Sequence, residues 1–358
     1  MPEGAVLYCS NGVASESVCV GDDLYRTLPP TEIYTMKQNN SIQVCGFLHK
    51  LPRKNTTVLD FIEQYEKGHV RLLSFYIGRN LSYESDVLNA FSGIINAQSH
   101  SLGRLKWGMP LRLFARALFL SIPYQAGPFS RRSGFPSWSW LGWKLEVSAP
   151  MTVLDDGGLQ PWLLRRRIYW TLVQIYLYTG HGTPDLLLGP LDSNNGIEGY
   201  CTRSIGLYNR LTPVPSLPTE PCIVEAPPLH ASSNETPLPI LMFWTHVARL
   251  NLLAPLEESI ALEVHIDCPE ARARVQKEVS PKFEVVLLAI TKGVPHEYKD
   301  QEWEPVKQPW DREDGEHELS GIIIERWQGL ARRVGVVHRV GIQQWVAANP
   351  QSELVLLI

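Results

Sequence analysis

His246, His265 and Asp267 are the residues of this 358-residue sequence whose types and neighbours admit proton-transfer or metal chemistry. His246 stands in the apolar run Leu241-Met242-Phe243-Trp244-Thr245-His246-Val247. An imidazole there is a general base only if a nucleophile and an orienting acid face it. Neither is fixed nearby in the chain, so the run favours a hydrogen-bonded core histidine. His265 and Asp267 alternate with Val264 and Ile266, which puts both polar side chains on one face of a strand. Two such ligands without a third make a weak metal site, and a solvent-facing pair explains the spacing better. His296 with Glu297, and Glu316 with His317, lie in turn-rich acidic text and carry less, while Asp155-Asp156-Gly157-Gly158 is a turn signature.

No GxGxxG, P-loop, HExxH or GxSxG pattern occurs, so the sequence implies no cofactor and no metal, and an enzyme is the less favoured class. The six cysteines, Cys9, Cys19, Cys45, Cys201, Cys222 and Cys268, are widely spaced with no CxxC pair, which suits a reducing compartment. A hydrophobic share of 44%, a charged share of 20% and a net charge of −4 describe a globular chain and give no reason to expect a nucleic-acid partner. Neither a signal peptide nor an apolar window of about 18 residues is present, so a cytoplasmic protein with no membrane partner is expected.

Three of the eleven tryptophans, Trp138, Trp140 and Trp143, fall in Phe135-Pro136-Ser137-Trp138-Ser139-Trp140-Leu141-Gly142-Trp143. Read as an extended strand, this segment puts the Trp138 and Trp140 rings on one face and Ser137 and Ser139 on the other. Buried, the indoles form the seam of a core. Exposed, they could stack on a sugar together with Trp303 and Trp310, so a carbohydrate- or small-ligand-binding module is the alternative.

The elements that must position these residues change character along the chain. Residues 1–50 hold short strands at 6–9 and 42–47. Helical spacing follows at 57–68, at 82–95 with Ser82 or Ser85 as cap, and at 110–120, which makes 51–130 a helical region. From 131 to 358 the period is that of strands: one long strand or two over 167–178, then strands at 238–253, 261–266, 283–291 and 319–327. A final pair is expected at 335–340 and 354–358, with a short helix or turn at 342–349 between them. A stretch rich in Pro, Gly and Asn at 179–239 reads as a loop insertion. The expected fold class is therefore α+β, with a helical N-terminal part packed on a β-rich C-terminal sandwich or barrel-like sheet.

Three blocks carry a family resemblance: Asn80-Leu81-Ser82-Tyr83-Glu84-Ser85-Asp86-Val87-Leu88-Asn89-Ala90-Phe91-Ser92-Gly93-Ile94, then Lys106-Trp107-Gly108-Met109-Pro110, then the tryptophan block. In order and spacing they resemble the region downstream of the HET domain in fungal heterokaryon-incompatibility proteins. The similarity is strongest over residues 57–147, with a fainter echo in Ile322-Ile323-Ile324-Glu325-Arg326-Trp327 and Arg333-Val334-Gly335. The motif positions it singles out are Asp86, Asn89, Trp107, Gly108, Pro110, Pro136, Trp138, Trp140, Gly142 and Trp143, and their role is expected to be structural. No block of the HET domain itself is matched. Residues 1–50 are accordingly expected to be remnant strands and loops after a missing HET domain, in a shortened or split gene product. The resemblance implies a non-catalytic part in fungal non-self recognition and programmed cell death, with a HET domain in trans or another protein as partner.

Overall fold

The computed structural model describes residues 6–9, 12–15, 69, 73, 77, 81, 83–92, 104–120, 129–132, 134–145, 167–189, 202–218, 238–251, 263–277, 282–293 and 317–358. The chain forms two compact units, Met1–Phe75 and Tyr76–Ile358. In the first, β1 (Val6–Cys9) and β2 (Gly12–Ser15) pair as an antiparallel hairpin, and His69 and Leu73 are buried. The strand expected at 42–47, the helix expected at 57–68, and the residues His296, Glu297, Trp303 and Trp310 lie outside the described residues.

The second unit opens with a 3-10 turn at Glu84–Asp86 that continues as helix through residues 87–92. Tyr83 stands at its N-cap with no side-chain cap bond, so Ser85 lies within the turn and does not cap it. Val87 and Phe91, four residues apart, are buried, while Asp86 and Asn89 are exposed. A small hairpin of β3 (Leu105–Lys106) and β4 (Met109–Pro110) follows. The chain then passes through a 3-10 turn at Leu111–Leu113 into the short, fully buried α1 (Phe114–Leu118). The strands β5 (Phe129–Arg131) and β6 (Trp143–Leu145) bracket the tryptophan block as an antiparallel pair.

The rest of the unit is dominated by one nine-stranded sheet. Its members in chain order are β7 (Arg167–Thr171), β8 (Ile175–Tyr178), β9 (Asp185–Leu188), β10 (Ile240–Asn251), β11 (Glu263–Ile266), β12 (Lys282–Gly293), β13 (Glu318–Trp327), β14 (Leu330–Gly341) and β15 (Gln351–Leu357). Three helices accompany it: α2 (Thr202–Leu211), α3 (Pro269–Lys277) and α4 (Ile342–Ala347). The strand order is β7-β12-β13-β14-β15-β10-β8-β9, with β11 on β14. Because β10 also pairs with β12, the pairings β10–β12–β13–β14–β15–β10 return to their start. The protein thus combines helices with one large sheet and is mostly β-rich.

Alternation along β10 sorts the two faces. Leu241 and Phe243 lie opposite Leu357 and Val355 of β15, and all four side chains are 0% exposed. They fill the inside of the ring. Trp244, between them in parity, lies opposite Leu354 and is 39% exposed.

The topology refines these expectations. Residues 167–178 take the second of the two expected forms, two strands, with β7 joining β12 and β8 joining β10. The last two strands are neighbours in the sheet but run parallel, meeting only at Ala331 and Leu357, while β15 takes its long antiparallel ladder from β10. The short helix α4 makes the connection between them. The stretch at 179–239, expected as loop, holds β9 and α2.

The register makes a direct test. Phe243→Ala removes an interior ring and is expected to lower the unfolding free energy by about 3–5 kcal/mol, whereas Trp244→Ala, on the outer face, costs about 1 kcal/mol or less. Urea unfolding followed by tyrosine and tryptophan fluorescence reads both, and equal losses would mean the register is wrong.

Candidate functional site

The residues of the three resemblance blocks meet in one buried seam, built from short turns. Trp107 (φ 53°) and Gly108 (φ 77°) both lie in the left-handed region, as a two-residue I′ hairpin turn between β3 and β4 requires. Glycine at the second position also admits Leu141, because a Cβ there would stand 3.0 Å from its side chain. The half-buried Trp107 ring meets Phe135 edge-on at 5.8 Å between centroids, and its carbonyl accepts a 2.7 Å bond from Ser139 Oγ. Ser139 Oγ in turn accepts from the Leu141 N–H, capping a 3-10 turn at Trp140–Gly142.

The tryptophan block is therefore not a strand until Trp143. Pro136, Ser139 and Gly142 are strong turn formers, and the Ser139 N–H bond to the Pro136 carbonyl closes a turn that the β-propensity of tryptophan cannot override. The rings are nonetheless deep inside: Trp138, Trp140 and Trp143 are 0%, 5% and 3% exposed. Trp138 lies 6.1 Å from Phe114 of α1. No indole here can stack on a sugar from solvent.

Two arginines fasten the seam. Arg132, 3% exposed, donates to the carbonyls of Leu141 and Trp143 and places Nε 2.6 Å from Glu84. Lys144 reaches the other Glu84 oxygen at 2.8 Å. Hydrogen bonds from Lys144, then Arg132, hold the Glu84 carboxyl below its ordinary range. Arg131 lies 4.7 Å above the Trp143 ring and donates to the Phe135 carbonyl. Burial, followed by the positive charges of Arg332 and Arg333, pulls its pKa down to about 10.

Ser137 connects this seam to the sheet. Its N–H and Oγ both donate to the Ile358 carbonyl, and Oγ accepts from the Arg333 N–H at 2.9 Å. Ile358 N–H donates to the Ala331 carbonyl. Ser137 thus supplies the rungs that β14 and β15 do not make with each other.

The other candidate residues are scattered. His246, 0% exposed, places Nδ1 2.6 Å from Tyr208 Oη of α2, and Trp345 Nε1 of α4 donates to the same hydroxyl at 2.9 Å. Burial drives the His246 pKa down to about 4, only partly opposed by the Pro215 backbone, and drives the Tyr208 pKa up to about 12. His265 sits edge-on to His338 at 6.4 Å, and His338 Nδ1 is 3.1 Å from Ser320 Oγ. Asp267, 1% exposed, pairs with Arg333 at 2.9 Å.

Asp86 and Asn89 are exposed and Glu84 makes the block's ion pairs, while Trp107, Gly108, Pro110, Pro136, Trp138, Trp140, Gly142 and Trp143 all line the seam. Arg132, Ser137, Glu84 and Tyr208 were not legible as key residues, because their partners lie far away in sequence. Among the described residues no three His, Cys, Asp or Glu side chains gather into a metal site, and no helix is long and apolar enough to cross a membrane. No family model, curated protein or solved structure matches the chain.

Two predictions follow from these bonds. Ser137→Ala removes two side-chain bonds and leaves a buried N–H of Arg333 unpaired, which is expected to lower stability by about 1–3 kcal/mol in chemical denaturation. His246 is neutral in the folded chain down to about pH 4 but titrates near 6.5 when unfolded. The unfolded state then binds the extra proton. Stability is full above pH 6.5 and falls by about 3 kcal/mol on going down to pH 4. His246→Asn, which keeps an acceptor for Tyr208, flattens that part of the profile, and an unchanged slope in the variant would assign it to other groups.

Proposed function

We propose that this chain is the non-catalytic portion that follows the HET domain in a heterokaryon-incompatibility-type protein. It acts by protein contact in fungal non-self recognition and cell death, in the cytoplasm. Its partner is a HET domain in trans or another protein of that pathway. In this reading the finer architecture is a helical N-terminal part packed on a barrel-like sheet. Its seam is the part of the resemblance that the family's sequence blocks encode.

What supports the reading is the way the three blocks interlock. Glu84 of the first is paired with Arg132 and Lys144, which bracket the third. Trp107 and Gly108 of the second receive Ser139 and Leu141 of the third. Blocks that lie far apart in sequence and converge on one buried seam are what a shared fold element requires. The sugar-binding alternative loses Trp138 and Trp140 to the core. Of the residues of the enzyme alternative, His246 is bonded to Tyr208, His265 packs on His338 and Asp267 pairs with Arg333.

The reading predicts that tagged chain, expressed in a fungal host, co-purifies with a HET-domain protein of that host and alters the frequency of the death reaction. Gly108→Val, which clashes with Leu141, is expected to abolish both effects and to lower the melting temperature. Recovery of no HET-domain protein, with incompatibility unchanged on deletion, would overturn it.

A further inference from the structure

Helix α2 and the proline-rich turn after it form a unit of their own beside the sheet. Thr212 Oγ1 donates to the Tyr208 carbonyl, and Asn209 exchanges two bonds with the main chain of Leu217, which tie residues 202–217 together. The unit lies in the chain between β9, the last strand in the order of the sheet, and β10. It takes part in no ladder, so moving it away breaks none. It meets the sheet through Tyr208, whose hydroxyl lies 2.6 Å from His246 Nδ1 of β10 and accepts from Trp345 Nε1 of α4. The Pro215 backbone in the turn also bonds His246.

Every element around His246 presents it with neutral groups. Helix α2 buries Ser204 and Tyr208, one turn apart, and keeps Arg203 and Arg210 exposed. Tyr208 carries no charge near neutrality, because burial pushes its pKa up to about 12. Helix α4 (Ile342–Ala347) has no charged residue and offers Trp345. Strand β15 sets Ser352 directly opposite, and the register that pairs Val247 with Val286 brings Leu287 of β12 alongside. Its same-face neighbours on β10 are Trp244 and Ala248. Arg249 with Glu284, and Glu353 opposite Thr245, fall on the other parity and face away. Among the described residues no carboxylate faces the imidazole, so a proton on it is a buried charge without a counter-ion.

We propose that His246 is an acid-sensitive latch: its protonation releases α2 and the turn at 213–217 from the outer face of β10 while the closed sheet stays folded. In the closed state burial holds the His246 pKa at about 4, with only the Pro215 backbone pulling the other way, against 6.5 when solvated. The open state therefore takes up the proton first, and acid favours opening. The opening constant climbs below pH 6.5 and levels off under pH 4, a span of roughly 300-fold, of which about twentyfold falls between pH 7 and pH 5. The latch lies within Tyr76–Ile358 and does not depend on what the chain binds.

Hydrogen–deuterium exchange of the full chain at pH 7 and pH 5, corrected for intrinsic rates, tests it amide by amide. The α2 amides are expected to open about twentyfold more often at pH 5. Adding about 1 M urea leaves their rate nearly unchanged, because a local opening exposes little surface. The β12 and β13 amides, which need global unfolding, stay roughly tenfold or more better protected at both pH values. His246→Asn removes the response to pH. Ser352→Glu, at an exposed position opposite the imidazole, supplies the missing carboxylate and at least halves the rise, and it decides if His246→Asn does not fold. Opening of α2 that ignores pH overturns the proposal. So do α2 amides as well protected as the ladders, or a rise at pH 5 that Ser352→Glu leaves intact.

Discussion

The closure of the sheet depends on a hydroxyl that belongs to no strand. A ring of strands is stable only if each ladder is continuous, since an open buried rung leaves backbone N–H and C=O groups without partners. Between β14 and β15 the ladder is a single bridge, Ala331 with Leu357. Ser137 fills what is missing by taking the Arg333 N–H and giving two donors to the Ile358 carbonyl. A serine can do both because its oxygen donates once and accepts twice. Alanine or valine in its place would match the apolar surroundings but would strand the Arg333 N–H, leaving Ile358 with only the main-chain donor. The turn that carries Ser137 is consequently held in position by the sheet, and the sheet is held closed by the turn.

That mutual dependence explains why so much positive charge is tolerated inside. Arg132 and Arg333 are 3% and 5% exposed, and both direct guanidinium groups at main-chain carbonyls as well as at an acid. A turn-rich seam has more unpaired carbonyls than a strand or helix, and arginine, with five donors in a fixed fork, can satisfy several at once. The ion pairs with Glu84 and Asp267 offset the loss of hydration. Arg131 is the exception. It stacks on the Trp143 face and donates to a carbonyl, and burial, with Arg332 and Arg333 nearby, outweighs the attraction of Asp267 and lowers its pKa.

Strand spacing was readable wherever side chains alternate between two environments. The runs at 238–253, 283–291 and 319–327 became β10, β12 and β13 with small shifts at their ends. What alternation cannot carry is pairing between distant segments. Nothing in the text at 351–358 distinguishes β10 from β14 as its neighbour. The choice follows from α4, whose length sets how far the chain travels before it pairs again. The tryptophan block was misread for a related reason. Tryptophans two apart fit a strand, but the serines and glycine between them bond locally, and local hydrogen bonds compete with the ladder. Burial of those indoles was legible from their size alone. Their roles in a seam with Glu84 and Trp107 were not, because each contact crosses tens of residues.

The polar residues that first suggest chemistry are bound up in this framework. His246 is locked by Tyr208 and Trp345, and Asp267 by Arg333. His338 is hydrogen-bonded to Ser320, which also touches Thr291. In each case the hydrogen-bond partner is buried as well, so a substrate could reach the group only by displacing structure. A buried histidine held neutral at physiological pH by desolvation contributes rigidity rather than proton transfer.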